Sequence, residues 1–177
     1  MVRSEESVRD VRISRLDTPL GVLEIVTVGD DLVRLHIGRS PAGHLPDWLA
    51  RHGLPSRPLR GGAAPAEVVA QLSEYFAGDR RLFELPIRPL GSAFQQRIWR
   101  CLERIPYGET RSYGEVAEAA GAPRAARAVG LACGANPLPI VIPCHRVLAA
   151  GGRPGGFGGG LELKRRLLEL EGYHPGW

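Results

Sequence analysis

The local pattern of the sequence changes near residue 90, and this change limits the possible folds more than any other feature. Residues 11–38 hold three short runs rich in β-branched and apolar residues, separated by turn residues, whereas later apolar residues recur at helical spacing. Pro86 and Pro89 lie between the two regions, and each disfavours helix at the residue before it. We therefore predict an α+β fold, with an N-terminal domain over residues 1–88 and a mostly helical C-terminal domain over residues 89–177.

The N-terminal domain is predicted to contain a three-stranded antiparallel sheet and a helix. Turn-forming residues, Thr18-Pro19-Leu20-Gly21 and Gly29-Asp30-Asp31, separate the strands. The predicted strands are residues 11–17, 21–28 and 32–38. The alternation of Val33, Leu35 and Ile37 predicts one buried face. Residues 53–66 are rich in Gly, Pro and Ala and are predicted to be loop, while residues 66–78 have the apolar spacing of a helix.

Two capping boxes mark helix starts in the C-terminal domain. Ser92 is followed three residues later by Gln95, and Ser112 is followed by Glu115. In this pattern the serine and the Gln or Glu side chains each bond a backbone N–H of the first helical turn. Gly121 is placed to end the helix that the second box opens.

A third helix is predicted over residues 124–134, with Pro123 in its first turn. With the helix before it, this segment forms a helix-turn-helix pattern. Arg124 and Arg127 stand there among Ala and Gly residues, and none of the amide side chains that read base edges is present. The pattern fits a thin helix against a narrow groove of nucleic acid, and it fits equally a helix packed in a protein interior.

The composition favours an anionic partner and no membrane span. Residues 1–90 carry 12 Arg and 12 Asp plus Glu, whereas residues 91–177 carry 11 Lys plus Arg against 7 Glu, so the net charge of +4 lies in the second half. Nucleic acid is the commonest partner of such a basic region. No apolar run approaches the roughly 18 residues of a membrane span, and residues 1–12 lack the apolar core of a secretory signal. We expect a cytoplasmic protein.

The cysteines and histidines show no metal-ligand spacing. None of the three cysteines forms a CxxC pair, and three histidines, His36, His44 and His52, recur every eight residues, which matches no ligand pattern. We therefore predict no metal site and no disulfide. Cys101 and Cys133 lie on predicted helices and are expected to be packing residues.

The stretch VIPCHRV, residues 141–147, sets Cys144 beside His145. A thiol is mostly protonated at neutral pH, so a nucleophilic cysteine needs a base. Neighbours on an extended chain point to opposite faces, so His145 would act through water at a turn. A carboxylate must then hold the imidazole. The candidates follow on the last predicted helix: Glu162, Glu169 and Glu171.

These motifs together resemble one known family. IPCHRV is preceded by ANPLP and RAVG and followed by a glycine-rich loop and a helix ending in LEG; AFQQRIW and IPYGETRSYGEVA lie upstream. The combination is similar to the O6-alkylguanine-DNA alkyltransferases over roughly residues 91–172, and the TPLG turn resembles their N-terminal domain. The resemblance implies irreversible, single-turnover transfer of an alkyl group from DNA to the protein, without any cofactor.

The resemblance also implies a role for each matching residue. Cys144 would accept the alkyl group, His145 would be its water-mediated base, and Glu171 would complete the relay. Asn136 would bond the backbone of the active-site turn. Tyr113 would rotate the damaged nucleotide out of the duplex and bond the guanine.

Further matching positions are implied to contact DNA or the extruded base. Arg127 would fill the gap left in the duplex, in a helix whose other DNA-facing residues are Arg124, Ala125, Ala126 and Gly130. The base would meet Val147, Phe157 and Gly158. Phe157 stands where the family usually has tyrosine, so a hydroxyl contact is lost.

The implied partner is double-stranded DNA containing O6-alkylguanine, bound from the minor groove by a monomer, with cooperative loading left open. Three alternatives remain at this point. The protein could recognise alkylguanine without removing it, although relatives of that kind replace the acceptor cysteine. It could be a thiol hydrolase, or a minor-groove architectural protein.

Overall fold

The N-terminal part of the molecule is a four-stranded sheet. The computed structural model describes residues 10–38, 44–55 and 59–177. The predicted antiparallel strands are confirmed as β1 (Val11–Thr18), β2 (Gly21–Val28) and β3 (Asp31–Ile37). A short strand, β4 (Leu59–Arg60), lies parallel to β1 and gives the order β3-β2-β1-β4. It falls within the segment 53–66 that was predicted to be loop, because a pairing with a distant strand leaves no local pattern.

Both faces of this sheet are buried, which corrects the prediction of one buried face on β3. Leu35 packs in the largest hydrophobic cluster, while Val33 packs in a second cluster on the other face. The reason is a bulge between β2 and β3: Val26 pairs with Arg34 and Thr27 with Leu32, so Val33 is an extra residue on β3. A bulge changes which face the following side chains point to, and no two-residue periodicity can reveal it.

Two helices flank the sheet. The predicted helix is confirmed as α2 (Ala66–Ala77), which buries Val68, Leu72 and Tyr75. Gly78 closes it in the left-handed conformation at φ 84°. A further helix, α1 (His44–Arg51), buries Leu45, Trp48 and Leu49 in the second cluster.

The C-terminal part is mostly helical, as predicted. Its helices are α3 (Ala93–Leu102), α4 (Tyr113–Ala119), α5 (Ala126–Gly134) and α6 (Leu161–Leu170). A two-stranded parallel ladder joins β5 (Arg111–Ser112) to β6 (Val147–Leu148). Both capping boxes are present with their reciprocal hydrogen bonds. Helix α5 begins at Ala126, two residues later than predicted, so Pro123 lies in the turn before it. No helix in the described residues is long and apolar enough to cross a membrane.

The two parts share one hydrophobic core. The largest cluster includes Leu35 and Tyr75 from the first part and Ile98 and Val129 from the second. Cys101 and Cys133 are half-buried at its edge. Main-chain hydrogen bonds add to this contact: the amide of Leu32 donates to the carbonyl of Pro86 at 2.8 Å. The segment around the two prolines is therefore paired with the outer edge of β3.

Trp99 fixes α3 against α5. Its indole N–H donates to the carbonyl of Ala132 at 2.9 Å, and the side chain is 1% exposed. Gly91 allows this packing, because a Cβ added there would lie 2.4 Å from the Trp99 ring. At Gly134, by contrast, an added Cβ would meet nothing within 4 Å.

We expect Gly91→Ala to lower the free energy of unfolding by about 1–3 kcal/mol, because the added methyl group overpacks the Trp99 site. Gly134→Ala is the matched control: it should leave stability unchanged or raise it by up to about 1 kcal/mol, as alanine favours helix. Urea unfolding of both variants tests this. Equal stability of the two variants would show that the Trp99 side chain shifts at no cost to make room for the methyl group.

Candidate active site

Cys144 and His145 lie on a single turn of 3-10 helix, Cys144–Arg146. This turn resolves the geometric problem of two adjacent side chains, because the chain is not extended here. All three residues of the turn are buried, and Cys144 is 6% exposed. Cys144 belongs to the largest hydrophobic cluster and also lines a cavity.

Asn136 holds the chain that leads into this turn. Its side-chain Nδ2 donates to the carbonyl of Ile142 at 2.8 Å, and its Oδ1 accepts from the amide of Leu138 at 3.0 Å. Between them Ile140 adopts φ 78°, the one left-handed non-glycine conformation in the described residues. A β-branched residue there is strained, so the Asn136 bonds and the 1% exposure of Ile140 keep it in place.

The N-terminal sheet supports the same loop. The amide of Leu35 on β3 donates to the carbonyl of Pro137 at 2.8 Å. The first part of the chain therefore contacts the active-site loop directly, one residue away from Asn136.

His145 is paired with Glu171, and of the three candidate carboxylates only this one reaches it. The distance from Nε2 of His145 to Oε1 of Glu171 is 2.8 Å, and both side chains are fully buried. Since a carboxylate oxygen can only accept, Nε2 carries the proton and Nδ1 is the basic nitrogen. Nδ1 has no hydrogen-bond partner among the described residues. Glu162 and Glu169 instead pair with Arg165 on the surface.

Glu171 is the centre of a larger buried network. Tyr75 donates its hydroxyl to Oε1 at 2.7 Å, and the amide of Gly108 donates to Oε2 at 3.2 Å. Arg146 donates to both carboxylate oxygens, at 2.8 and 2.9 Å. Burial by itself would raise the pKa of Glu171, but the hydrogen bonds from His145 and Arg146 and the charge of Arg146 hold it well below its usual range. The carboxylate is therefore ionised.

Both groups that would exchange the thiol proton are neutral in the free protein. Burial raises the pKa of Cys144, and a hydrogen bond from Asn136 and the charge of Lys164 oppose this only in part. Burial lowers the pKa of His145, with Glu171 opposing. The site consequently holds a thiol beside an imidazole whose basic nitrogen is available.

Lys164 ties the glycine-rich loop to this centre. Its side chain is completely buried, and Nζ donates to the carbonyls of Val147 at 2.5 Å, Pro154 at 2.6 Å and Gly156 at 3.3 Å. Burial lowers the pKa of Lys164 to about 8, although the nearby thiols of Cys144 and Cys133 oppose the shift. Near neutral pH the ammonium group remains mostly charged beside Cys144.

Tyr113 projects from the start of α4 over the same loop. Its hydroxyl accepts from the amide of Gly156 at 3.3 Å and lies 3.5 Å from the carbonyl of Gly156. A Cβ added to Gly155 would lie 2.7 Å from the Tyr113 hydroxyl, so this close approach requires glycine. Burial raises the pKa of Tyr113, which keeps the phenol protonated. The ring of Tyr113 also lies next to Gly130 of α5.

The predicted DNA-contacting residues lie on or just before α5. Arg124 and Arg127 are exposed, while Ala125, Ala126 and Gly130 are partly buried. The exposed positions continue with Leu131, which is 71% exposed. The face of α5 that carries Arg127 is therefore open to a partner, and its opposite face packs through Val129 and Ala132.

The glycine-rich loop beside Cys144 is closely packed at Phe157 and Gly159 and open at Gly158. Phe157 is partly buried against the largest cluster. A Cβ on Gly159 would lie 2.5 Å from Leu163 and 3.1 Å from the Phe157 ring, whereas one on Gly158 would meet nothing within 4 Å. Val147 is fully buried, and its carbonyl accepts from Lys164. A carbonyl oxygen has two lone pairs, so it can accept a second hydrogen bond.

Protein-family models match almost the whole described chain. Residues 93–173 match the DNA binding domain of 6-O-methylguanine DNA methyltransferase, and residues 11–89 match its ribonuclease-like domain. The chain is also 48% identical to a methylated-DNA–protein-cysteine methyltransferase of Mycolicibacterium paratuberculosis over 159 residues, which is 90% of this chain and 91% of the relative. This chain belongs to the methylated-DNA–protein-cysteine methyltransferase family.

Other members of this methyltransferase family are similar in sequence and structure. A constitutive Bacillus subtilis methyltransferase is 42% identical over 157 residues, 88% of this chain and 92% of that protein. The crystal structure of Mycobacterium tuberculosis OGT in complex with DNA is similar with a TM-score of 0.80 at 42% identity, over 94% of this chain and 96% of the other.

Three residues of the methyltransferase site were missed as site residues in the sequence. Tyr75 was recognised only as part of a helical stripe, and Arg146 not at all. Lys164 carried a usable signal: with Leu167 and Leu168 of α6 and Glu171 just after it, it forms a buried stripe at positions i, i+3, i+4 and i+7. Two charged residues on an apolar stripe indicate buried partners.

We expect Glu171→Gln to cost the methyltransferase about 3–5 kcal/mol of stability at pH 7, because Arg146 would remain buried without its counter-charge. The lowered pKa of Glu171 gives stability that is present above the unfolded pKa of about 4.3 and is lost as pH falls below it. The variant should therefore show a shallower loss of stability with acid. Chemical unfolding between pH 3 and 7 measures both effects.

Glu162→Gln is the matched control for this substitution. It removes a carboxylate from the adjoining helix α6, but Glu162 is 69% exposed and pairs with Arg165. Its stability and its acid dependence should follow the unsubstituted protein. A Glu171→Gln protein that behaved in the same way would rule out the buried network as a stabilising unit.

Proposed function

We propose that this protein repairs DNA by transferring an alkyl group from O6 of guanine to Cys144 in a single, irreversible turnover. Family membership supports the reaction. The observation that carries the assignment of residues is the His145–Glu171 pair, which leaves the basic Nδ1 of His145 available beside a buried thiol. No cofactor is needed, because a thiolate is itself a strong nucleophile for carbon.

In this reaction Sγ of Cys144 bonds to the alkyl carbon as the bond from that carbon to O6 breaks, and the electron pair leaves with guanine. The thiol proton passes through water to Nδ1 of His145, and Glu171 stabilises the resulting imidazolium. Guanine takes a proton from Tyr113, which regains one from the imidazolium through solvent. The net result is a thioether on Cys144 and guanine carrying the former thiol proton.

Recognition of the base requires it to leave the duplex, because O6 of guanine lies on the major-groove edge, out of reach of a protein bound in the minor groove. Helix α5 would enter the minor groove, with Arg127 filling the vacated position and Arg124 meeting phosphate. Ala125, Ala126 and Gly130 would allow close approach because they are small. The guanine edge would then meet Tyr113 and the backbone at Val147 and Gly158, with Phe157 packing beside it.

Binding to DNA is supported by the Mycobacterium tuberculosis OGT complex with DNA and by the basic second half of this chain. We further propose that the protein acts in the cytoplasm as a monomer, with its two domains meeting between residues 88 and 89. The shared core implies that the domains do not move independently during repair.

The alternative of a damage sensor that binds alkylguanine without removing it is disfavoured. The similar proteins are named methyltransferases, and this chain keeps a cysteine at position 144. A thiol hydrolase forms a thioester that water then cleaves. Alkyl transfer gives a thioether, which water does not cleave.

The intact mass of the protein after incubation with one equivalent of O6-methylguanine duplex tests this proposal. We expect a gain of one methyl group in place of one hydrogen, located on Cys144 by peptide mapping. The variant Cys144→Ser should still bind the duplex but gain no mass. Repeated turnover, or methyl groups on Cys101 or Cys133 instead, would contradict the proposal.

We expect Lys164→Met to slow alkyl transfer about tenfold, equal to about 1.4 kcal/mol in the barrier. The change removes a positive charge near Cys144 and the bonds that hold the loop. The rate with free O6-benzylguanine, which needs no DNA binding, should also reach its half-maximum at higher pH. Arg165→Met, an exposed neighbour on α6, is the control. An unchanged pH profile would show that Lys164 acts on the loop alone.

A further inference from the structure

A large cavity adjoins the acceptor cysteine. Its volume is about 510 Å³, within the range of pockets that hold drug-sized ligands. Cys144, Asn136 and Phe157 line one part of it, and residues of β3 and α1 line another. The cavity is therefore bounded by both halves of the chain, and the transfer of a methyl group does not account for its extension toward α1.

The charged side chains that line this cavity are arginines, and Glu24 of β2, which does not line it, acts on Arg34 through its charge. Among its described lining residues there are two arginines and three histidines, and there is neither aspartate nor glutamate: Arg34, Arg51, His36, His44 and His52. These include the three histidines whose eight-residue spacing matched no ligand pattern in the sequence. The fold brings them to one cavity, next to the thiol.

The wall formed by β3 and α1 is an ordered structure. Nη2 of Arg34 lies 3.0 Å from Nδ1 of His44, and the guanidinium lies 5.1 Å from the centre of the Trp48 ring. The centres of the Trp48 and His52 rings lie 4.4 Å apart. Arg34 is 5% exposed, and its Nη1 has no hydrogen-bond partner among the described residues. The bulge at Val33 turns Arg34 toward this side of the sheet.

We propose that this part of the cavity, defined by Arg34, His44, Trp48, Arg51 and His52, binds a carboxylate carried by the alkyl group of the substrate. The inference rests on the proposed transfer to Cys144 and names a substrate class for the same site: O6-alkylguanines whose alkyl group ends in an acid. Guanidinium groups bind carboxylates with paired, charge-assisted hydrogen bonds. Trp48 offers a flat apolar surface for the part of the alkyl group that lies between O6 and the carboxylate.

The reaction itself is unchanged by such a substituent. Sulfur still attacks the carbon bonded to O6, and the acid travels with the alkyl group to Cys144. The gain lies in orientation, because a bound carboxylate holds the arm away from the path of attack. A neutral group of the same shape would lack the charge-assisted bonds and would gain little.

Two free bases of equal shape test the proposal: O6-(4-carboxybenzyl)guanine and its neutral match O6-(4-carbamoylbenzyl)guanine. Second-order rate constants for labelling Cys144 are measured by intact mass with the whole protein. We expect the acid to react about tenfold faster than the amide, the range for hydrogen bonds to a charged group. Equal rates, or a faster amide, would overturn the proposal.

Substitutions then locate the effect. Arg51→Gln changes an exposed residue of α1, and it should reduce the preference for the acid several-fold while leaving the amide rate unchanged. Arg34→Gln should reduce the preference further; because Arg34 is buried, its folding is checked by thermal unfolding. Arg100→Gln removes the same charge from an exposed position on α3 and should leave the preference intact. A preference that survives Arg51→Gln and a folded Arg34→Gln protein would overturn the assignment.

A DNA phosphate bound by the same cluster would give a different result. Arg51→Gln would then slow transfer from O6-methylguanine duplex, while the free acid and the free amide would react equally, and this outcome also overturns the proposal. If Cys144 were not an alkyl acceptor, plain O6-benzylguanine would not react either. Failure of the proposed function is thus distinguishable from failure of this inference.

Discussion

The buried carboxylate of Glu171 is the interaction on which the rest of the site depends. It accepts from Tyr75 of α2, from the Gly108 amide, and from His145 and Arg146 on the active-site turn. A carboxylate without these partners would be too costly to bury. The same bonds that keep it ionised also orient the imidazole and join segments far apart in sequence. Stability and the readiness of His145 to act as a base therefore have one cause.

Two further polar side chains hold the backbone where the chain has little regular structure. Asn136 fixes the strained loop before Cys144, and Lys164 binds three carbonyls after it, one on β6 and two in the glycine-rich loop. Each satisfies main-chain groups that would otherwise be buried without partners. The first half of the chain adds the Leu35 bond to Pro137, so the N-terminal sheet is part of the support of the site.

The free protein keeps both Cys144 and His145 neutral through burial. A neutral, enclosed thiol is protected from adventitious reactions, while the nearby ammonium of Lys164 and the Nδ1 atom of His145 provide for its ionisation. This arrangement suits a protein that can use its cysteine only once. Both the electrostatics of the pocket and the identity of the nucleophile therefore agree with the proposed single turnover.

The sequence by itself determined the local features: three antiparallel strands, helix α2, both capping boxes, and the Cys144–His145 pair with three candidate carboxylates. These follow from periodicity and from residues a few positions apart, whose physics is local. Only the tertiary structure decided that Glu171 reaches His145, that Tyr75 and Lys164 belong to the site, and that Val33 is a bulge. Such contacts join residues up to 96 positions apart, and burial of charge depends on what the whole chain packs around it, which no local pattern contains.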